Sequence, residues 1–219
     1  MNKKILIITA HPDDEILWMW WTIQKYILEW FKVDIFLLSK PWNARWKDES
    51  IRILNFQEVC NKLKINNVFY ENYPDTSFDS VRFLDIIKSI ENILDESKPE
   101  IVYTHFYNDL NIDHSIVSKA TLTALRPFSR YNFVKKIFMF EVPSTTELSV
   151  WNDKFMPNHY ENIEEFIEDK KKIFSLYETE IREYPHPRSF EWIEILSKYR
   201  WMNSWLKYAE AFILYRSIN

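Results

Sequence analysis

The chain has 219 residues, 47% hydrophobic and 27% charged, which excludes disorder, collagen and coiled coil and predicts a single domain over 1–219. A formal net charge of −4 leaves no surplus of Lys and Arg to neutralise phosphates, which disfavours a nucleic-acid partner. No apolar run approaches the roughly 20 residues of a transmembrane segment, and the apolar start is too short for a signal peptide. The lone cysteine, Cys60, fits a reducing compartment, so the expected location is cytoplasmic. One count is abnormal: there is no glycine and there are ten tryptophans, where a chain of this length carries about 15 glycines.

In chain order, residues 3–10 form a short isoleucine-rich run, as expected of a strand buried on both faces. His11, Pro12, Asp13, Asp14 and Glu15 follow, then a helical pattern to about residue 31. Residues 33–38 predict a second strand, 40–47 a polar loop, and 48–64 a helix with Ile51, Leu54, Val59 and Leu63 at near-helical spacing. A weak strand over 67–70 leads to a turn at Tyr73-Pro74-Asp75. Residues 78–97 predict an amphipathic helix with Val81, Leu84, Ile87, Ile90 and Leu94 on one face, ended by Pro99. A strand over 101–104, a polar loop over 105–113 and a helix over 114–125 come next. Beyond them the pattern predicts a strand over 136–141 and helices over 162–177 and 192–216. Alternating strands and helices imply βαβ units. The expected fold is a three-layer, Rossmann-like α/β sandwich with a mostly parallel sheet and a less regular C-terminal third.

In such sheets ligands bind beyond the carboxyl ends of the strands. Both polar clusters, at 11–15 and 108–114, directly follow predicted strands. Catalytic zinc takes three protein ligands and keeps a position for water. His11 and Asp14 are spaced to share one ion, Asp13 lies between them as a free carboxylate, and Asp113-His114 offers a second imidazole. With one cysteine, a thiolate-rich structural site is excluded. A helix start also attracts carboxylates through its dipole and unpaired N–H groups, so spacing alone leaves both readings open.

Ala10-His11-Pro12-Asp13-Asp14-Glu15 after an N-terminal strand resembles the signature of the PIG-L/LmbE family of zinc-dependent N-deacetylases. The likeness continues, in order, through Thr104-His105, Asp109 to His114, Phe140-Glu141-Val142-Pro143 and Pro185-His186-Pro187-Arg188-Ser189, and so covers nearly the whole chain. It implies that His11, Asp14 and His114 hold Zn2+ and that Asp13 is the general base. The implied reaction removes an acetyl group from a GlcNAc-type sugar or conjugate, with metal-bound water as nucleophile. Asn111 stands where many relatives carry a histidine; it can donate through its amide but cannot carry a proton. His105 and His186 are the candidates for that task. Arg45, in the loop after the second strand, and Arg188 offer donor forks for a sugar hydroxyl, carboxylate or phosphate. His159 has no motif around it. The implied partner is a small N-acetylated sugar, and a homo-oligomer stays open. The rival reading is a non-catalytic sugar- or metal-binding protein on the same scaffold; hydrolysis of another amide or ester shares the site.

Trp18, Trp20 and Trp21 follow the first motif, where the family characteristically has glycines. Trp42 and Trp46 flank a loop of the kind glycine serves, and Trp192, Trp201 and Trp205 again fall where the family tends to glycine. Three rings where backbones should touch amount to severe overpacking. Many of these tryptophans therefore read as glycines, through a codon translated with the wrong genetic code or through deliberate alteration. Literal tryptophans imply a distorted first helix.

Overall fold

The computed structural model describes residues 3–40, 49–148 and 153–218. Seven strands form one sheet: β1 (Lys4–Thr9), β2 (Lys32–Lys40), β3 (Asn67–Pro74), β4 (Ile101–His105), β5 (Lys136–Phe140), β6 (His159–Asn162) and β7 (Ala209–Ser217). Their order across the sheet is β3-β2-β1-β4-β5-β7-β6. The first five run parallel; β7 pairs antiparallel with β5, and β6 antiparallel with β7. Seven described helices complete the fold: α1 (Asp14–Leu28), α2 (Glu49–Leu63), α3 (Phe83–Ser97), α4 (Ile112–Ala124), α5 (Ile167–Phe174), α6 (Phe190–Tyr199) and α7 (Trp201–Ser204). None of the described helices is long and apolar enough to cross a membrane.

Strand β1, the middle one of the five parallel strands, shows why the sheet is covered on both sides. Successive side chains of a strand point to opposite faces. Ile5 and Ile7 accordingly join a core with Ile16 of α1, Phe56 and Val59 of α2, Phe174 of α5 and Ile193 of α6. Leu6 and Ile8 face a second core with Ile86, Ile90 and Leu94 of α3 and Val117 and Ala120 of α4. This is the three-layer α/β arrangement expected from the alternating pattern.

The C-terminal third departs from expectation. The helix predicted over 192–216 stops at Tyr199, and after the single turn of α7 the chain becomes strand β7. A short apolar run has no periodicity that separates helix from strand; pairing with β5 on one side and β6 on the other decides for strand. Edge strand β6 is four mostly polar residues and carried no pattern to predict it. The helix predicted over 162–177 is confined to α5, with a 3₁₀ turn at Glu164–Phe166 before it.

Helix α1 is broken at Met19, whose backbone (φ −137, ψ 22) is not helical. The break frees N–H groups that a continuous helix would pair internally. Glu210 of β7 takes them: its carboxylate accepts the Trp21 N–H at 3.2 Å, the Thr22 N–H at 2.9 Å and the Thr22 hydroxyl at 2.8 Å. Lys170 of α5, only 2% exposed, neutralises Glu210 at 2.9 Å. Removing one partner of a buried ion pair strands the other, at a cost of about 3–5 kcal/mol. Glu210→Ala is therefore expected to lower Tm by on the order of 10 °C in thermal denaturation.

Candidate metal and catalytic site

The site forms where β1 and β4 lie side by side and their following segments part, the switch point at which such sheets bind ligands. The two strand ends are tied together: the Ala10 N–H donates to His105 Nε2 at 2.9 Å. Beyond β1 the chain turns into α1 through Asp13, whose φ of 98° lies in the left-handed region. That backbone costs a non-glycine residue about 1–3 kcal/mol, and such strain concentrates at functional sites. Asp13 still caps α1 through its carbonyl, which accepts the Ile16 and Leu17 N–H groups at 3.1 and 3.0 Å. Beyond β4, Asn111 caps α4 by accepting the Asp113 N–H at 3.0 Å, which sets Asp113 and His114 in its first turn.

These two segments bring His11, Asp14 and His114 together, all buried. His11 Nδ1 faces His114 Nε2 at 3.1 Å, and Asp14 Oδ2 lies 3.3 Å from each nitrogen. The outer nitrogens are occupied. His11 Nε2 donates to Asp113 Oδ2 at 3.0 Å with Asp75 Oδ1 at 3.3 Å, and His114 Nδ1 faces Asp109 Oδ1 at 3.2 Å. Rings whose outer N–H is held by a carboxylate present their inner lone pair, as metal-ligating histidines do. Two such lone pairs at 3.1 Å need a cation or a proton between them. A tetrahedral ion with bonds of roughly 2.0–2.1 Å holds its ligands roughly 3.3 Å apart. The three inner atoms fit a zinc-sized ion.

The local field agrees. Burial alone would lower the pKa of His11, yet Asp113 and Asp14 raise it to about 10. His114, equally buried, is raised to about 9 by Asp14 and Asp109. Burial works against ionised Asp14, but His114 and His11 hold its carboxyl well below the usual range. The pocket is built for positive charge at its centre.

Asp13 has a different environment. Burial pushes its carboxyl up to about 6 against the pull of Arg188 and Arg52. Its Oδ2 is held by Arg188 at 3.0 Å and Arg52 at 3.5 Å, while Oδ1 is buried without a hydrogen-bond partner. Both guanidiniums also pair with Glu180, and Arg52 lies 3.6 Å from Asp75 and donates to the Pro12 carbonyl at 3.1 Å.

The other residues singled out in the sequence divide. Arg188 reaches the cluster through Asp13. His105 is buried against it, its ring stacked on His114 with centroids 4.1 Å apart. Its Nε2 accepts a backbone N–H, so the ring is the neutral Nδ1–H tautomer, and burial with the neighbouring His114 holds its pKa well below the ordinary value. Asn111 spends its amide oxygen on the α4 cap. His186 is exposed in the turn before Arg188, its Nδ1 accepting the Arg188 N–H at 3.0 Å. Arg45 lies outside the described residues. His159 sits on β6 with Nε2 at 3.0 Å from Glu161. Arg52, Asp75, Asp109, Asp113 and Glu180 complete the site without having been assigned a role from the sequence. Asp109 and Asp113 lay within the motif at 109–114 and Asp75 in a turn just beyond a strand, whereas Arg52 and Glu180 had no cue.

The PIG-L family profile, described as GlcNAc-PI de-N-acetylase, matches residues 6–125. No curated protein matches the chain. Among solved structures, the conserved protein TT1542 from Thermus thermophilus superposes with a TM-score of 0.76 at 19% identity, covering 98% of this chain and 96% of that one. N,N′-diacetylchitobiose deacetylase from Pyrococcus horikoshii gives 0.77 at 18% identity, over 98% of this chain and 84% of the other. GalB, the 4-carboxy-2-hydroxymuconate hydratase of Pseudomonas putida KT2440, gives 0.73 at 16% identity, over 99% and 98%. These likenesses establish a shared architecture. The profile match spans more than half of the chain and contains both segments that meet at the site, and the chain belongs to the PIG-L family.

Proposed function

We propose that the chain is a zinc-dependent hydrolase that removes the N-acetyl group from a GlcNAc-type sugar or sugar conjugate. The observation that carries this reading is Asp13, whose carboxylate has one oxygen pinned by two arginines and the other buried and unpartnered, next in sequence to Asp14. A protein that merely binds has no use for such a group, which tells against the non-catalytic alternative. The family's description supports the substrate class, as does the fold relative named for deacetylating an N-acetylated disaccharide. The hydratase on the same architecture is a reminder that fold does not choose the reaction; the site does.

His11 Nδ1, Asp14 Oδ2 and His114 Nε2 are the atoms that would hold the ion. When bound, Zn2+ supplies Lewis acidity, polarising a carbonyl and bringing the pKa of a water toward about 7. The chain's own part is to position and to move protons. Arg52 and Arg188 fix Asp13 Oδ2, so that Oδ1 is presented in one orientation. Asp13 Oδ1 accepts the proton of the attacking water and returns it to the amide nitrogen as the C–N bond breaks. Acetate and a free amino sugar leave. Asp113 and Asp109 keep the two imidazoles in the tautomers that ligation requires.

Asp13→Ala is expected to lower acetate release from an N-acetylglucosamine conjugate by about 10²–10⁴-fold while the zinc content, read by elemental analysis, stays at the parent level. Acetate release at the parent rate overturns the mechanism. Asp109→Ala frees the outer nitrogen of His114. Its zinc affinity, measured by competition with a chromogenic chelator, should fall about 10–100-fold with the circular dichroism spectrum unchanged.

A further inference from the structure

The tryptophans are not scattered through ordinary environments. Among the described residues six have positive φ, and two of them, Trp30 at 65° and Trp205 at 59°, are tryptophans. A bulky side chain in this region is an outlier, because its Cβ crowds the backbone. Trp30 stands just past α1 in a complete helix-stop motif: its N–H donates to the Ile27 carbonyl at 3.1 Å and the next N–H, of Phe31, to the Tyr26 carbonyl at 2.9 Å. Glycine usually fills that position. The Trp30 side chain is 92% exposed, so no burial offsets the strain. Trp205 ends α7 in the simpler left-handed stop, with a single bond from its N–H to the Trp201 carbonyl at 2.8 Å, and is 81% exposed.

The tryptophans of α1 are misplaced for the opposite reason. Trp18, Trp20 and Trp21 are buried where the helix lies on the sheet. The indole N–H groups of Trp18 and Trp20 have no acceptor, although a buried indole normally has one. The Trp21 ring lies on Phe166 with centroids 3.2 Å apart, inside the roughly 3.5–4.0 Å optimum between carbon atoms. The helix breaks at Met19, in the middle of the three. Left-handed helix stops and a tightly packed helix face make different demands, and one residue, glycine, meets both. The chain has none.

We infer that the protein made in its own organism carries glycine at positions 30 and 205, and that the crowded tryptophans of α1 arise from the same substitution of tryptophan for glycine. A codon that the organism assigns to glycine and that is written here as tryptophan produces this pattern. Because the chain has no other glycine, that codon must then encode every glycine it has.

Trypsin releases residues 26–32 and 201–207 as separate peptides, and their masses in protein purified from the native organism decide the matter. Glycine at both positions is the expected result, and tryptophan at either overturns the inference. Recombinant protein gives a second test that does not depend on the native source. Trp30→Gly combined with Trp205→Gly removes two exposed rings and two strained backbones, outside the catalytic residues. Tm should rise by about 2–4 °C or more; an unchanged or lower Tm overturns the conformational argument.

Discussion

Two imidazole nitrogens face each other across 3.1 Å, and each ring is backed on its far side by a carboxylate. Much of the site follows from this opposition. Backed by Asp113 and Asp109, the inner nitrogens are lone-pair donors, and Asp14 adds a negative oxygen 3.3 Å from both. Lone pairs and a carboxylate at such separations repel unless positive charge lies among them. The arrangement therefore calls for positive charge, a proton or a cation, and its edge lengths would suit a small cation with tetrahedral preferences. The surrounding backbone has to be stiff enough to hold the rings in place, and the hydrogen bond from Ala10 to His105 supplies that stiffness by joining the ends of β1 and β4.

Asp13 and Asp14 show how one dipeptide can serve two purposes. Both are buried, yet they point into opposite fields. Asp14 faces three histidine rings and is held ionised by them. Asp13 has a left-handed backbone and meets two arginines on one oxygen only. The strained backbone of Asp13 accompanies this division of partners. Its cost is offset by the α1 cap that its carbonyl makes and by the two guanidiniums that receive its side chain.

Legibility in the sequence followed the locality of each signal. Four of the five parallel strands were legible because buried strands read as short apolar runs between helical patterns; β3 is not buried, and only its first half, 67–70, was read as strand where it runs on to Pro74. His11 and Asp14 stood out just beyond the first such run, whereas His114, nine residues past β4, was singled out as a ligand through the family resemblance. Arg52 and Glu180 were not legible, because they come from α2 and a turn beyond α5, and only the closed topology brings them to the site. Arg52 reads as one charge among many on an amphipathic helix. His186 had the reverse fate: its motif is present, but its ring closes its own turn, and it is the neighbouring Arg188 that reaches inward. β7 was hidden because its pairing partners, not its own pattern, make it a strand.

The break in α1 explains why the site tolerates the crowding behind it. The first turn of the helix, which carries Asp14, hangs from the Asp13 carbonyl and lies ahead of Met19. Beyond Met19 the helix is held separately, through Glu210 and Lys170, to β7 and α5. Crowding by the large rings thus coincides with a break that lies past the turn carrying Asp14. With glycines in place of those rings the helix has no reason to break, and the N–H groups now bound to Glu210 can pair within it. Glu210 and Lys170 are then left to each other, a buried pair fixing β7 against α5, and the geometry around His11, Asp14 and His114 is set by the same β1–β4 tie in either case.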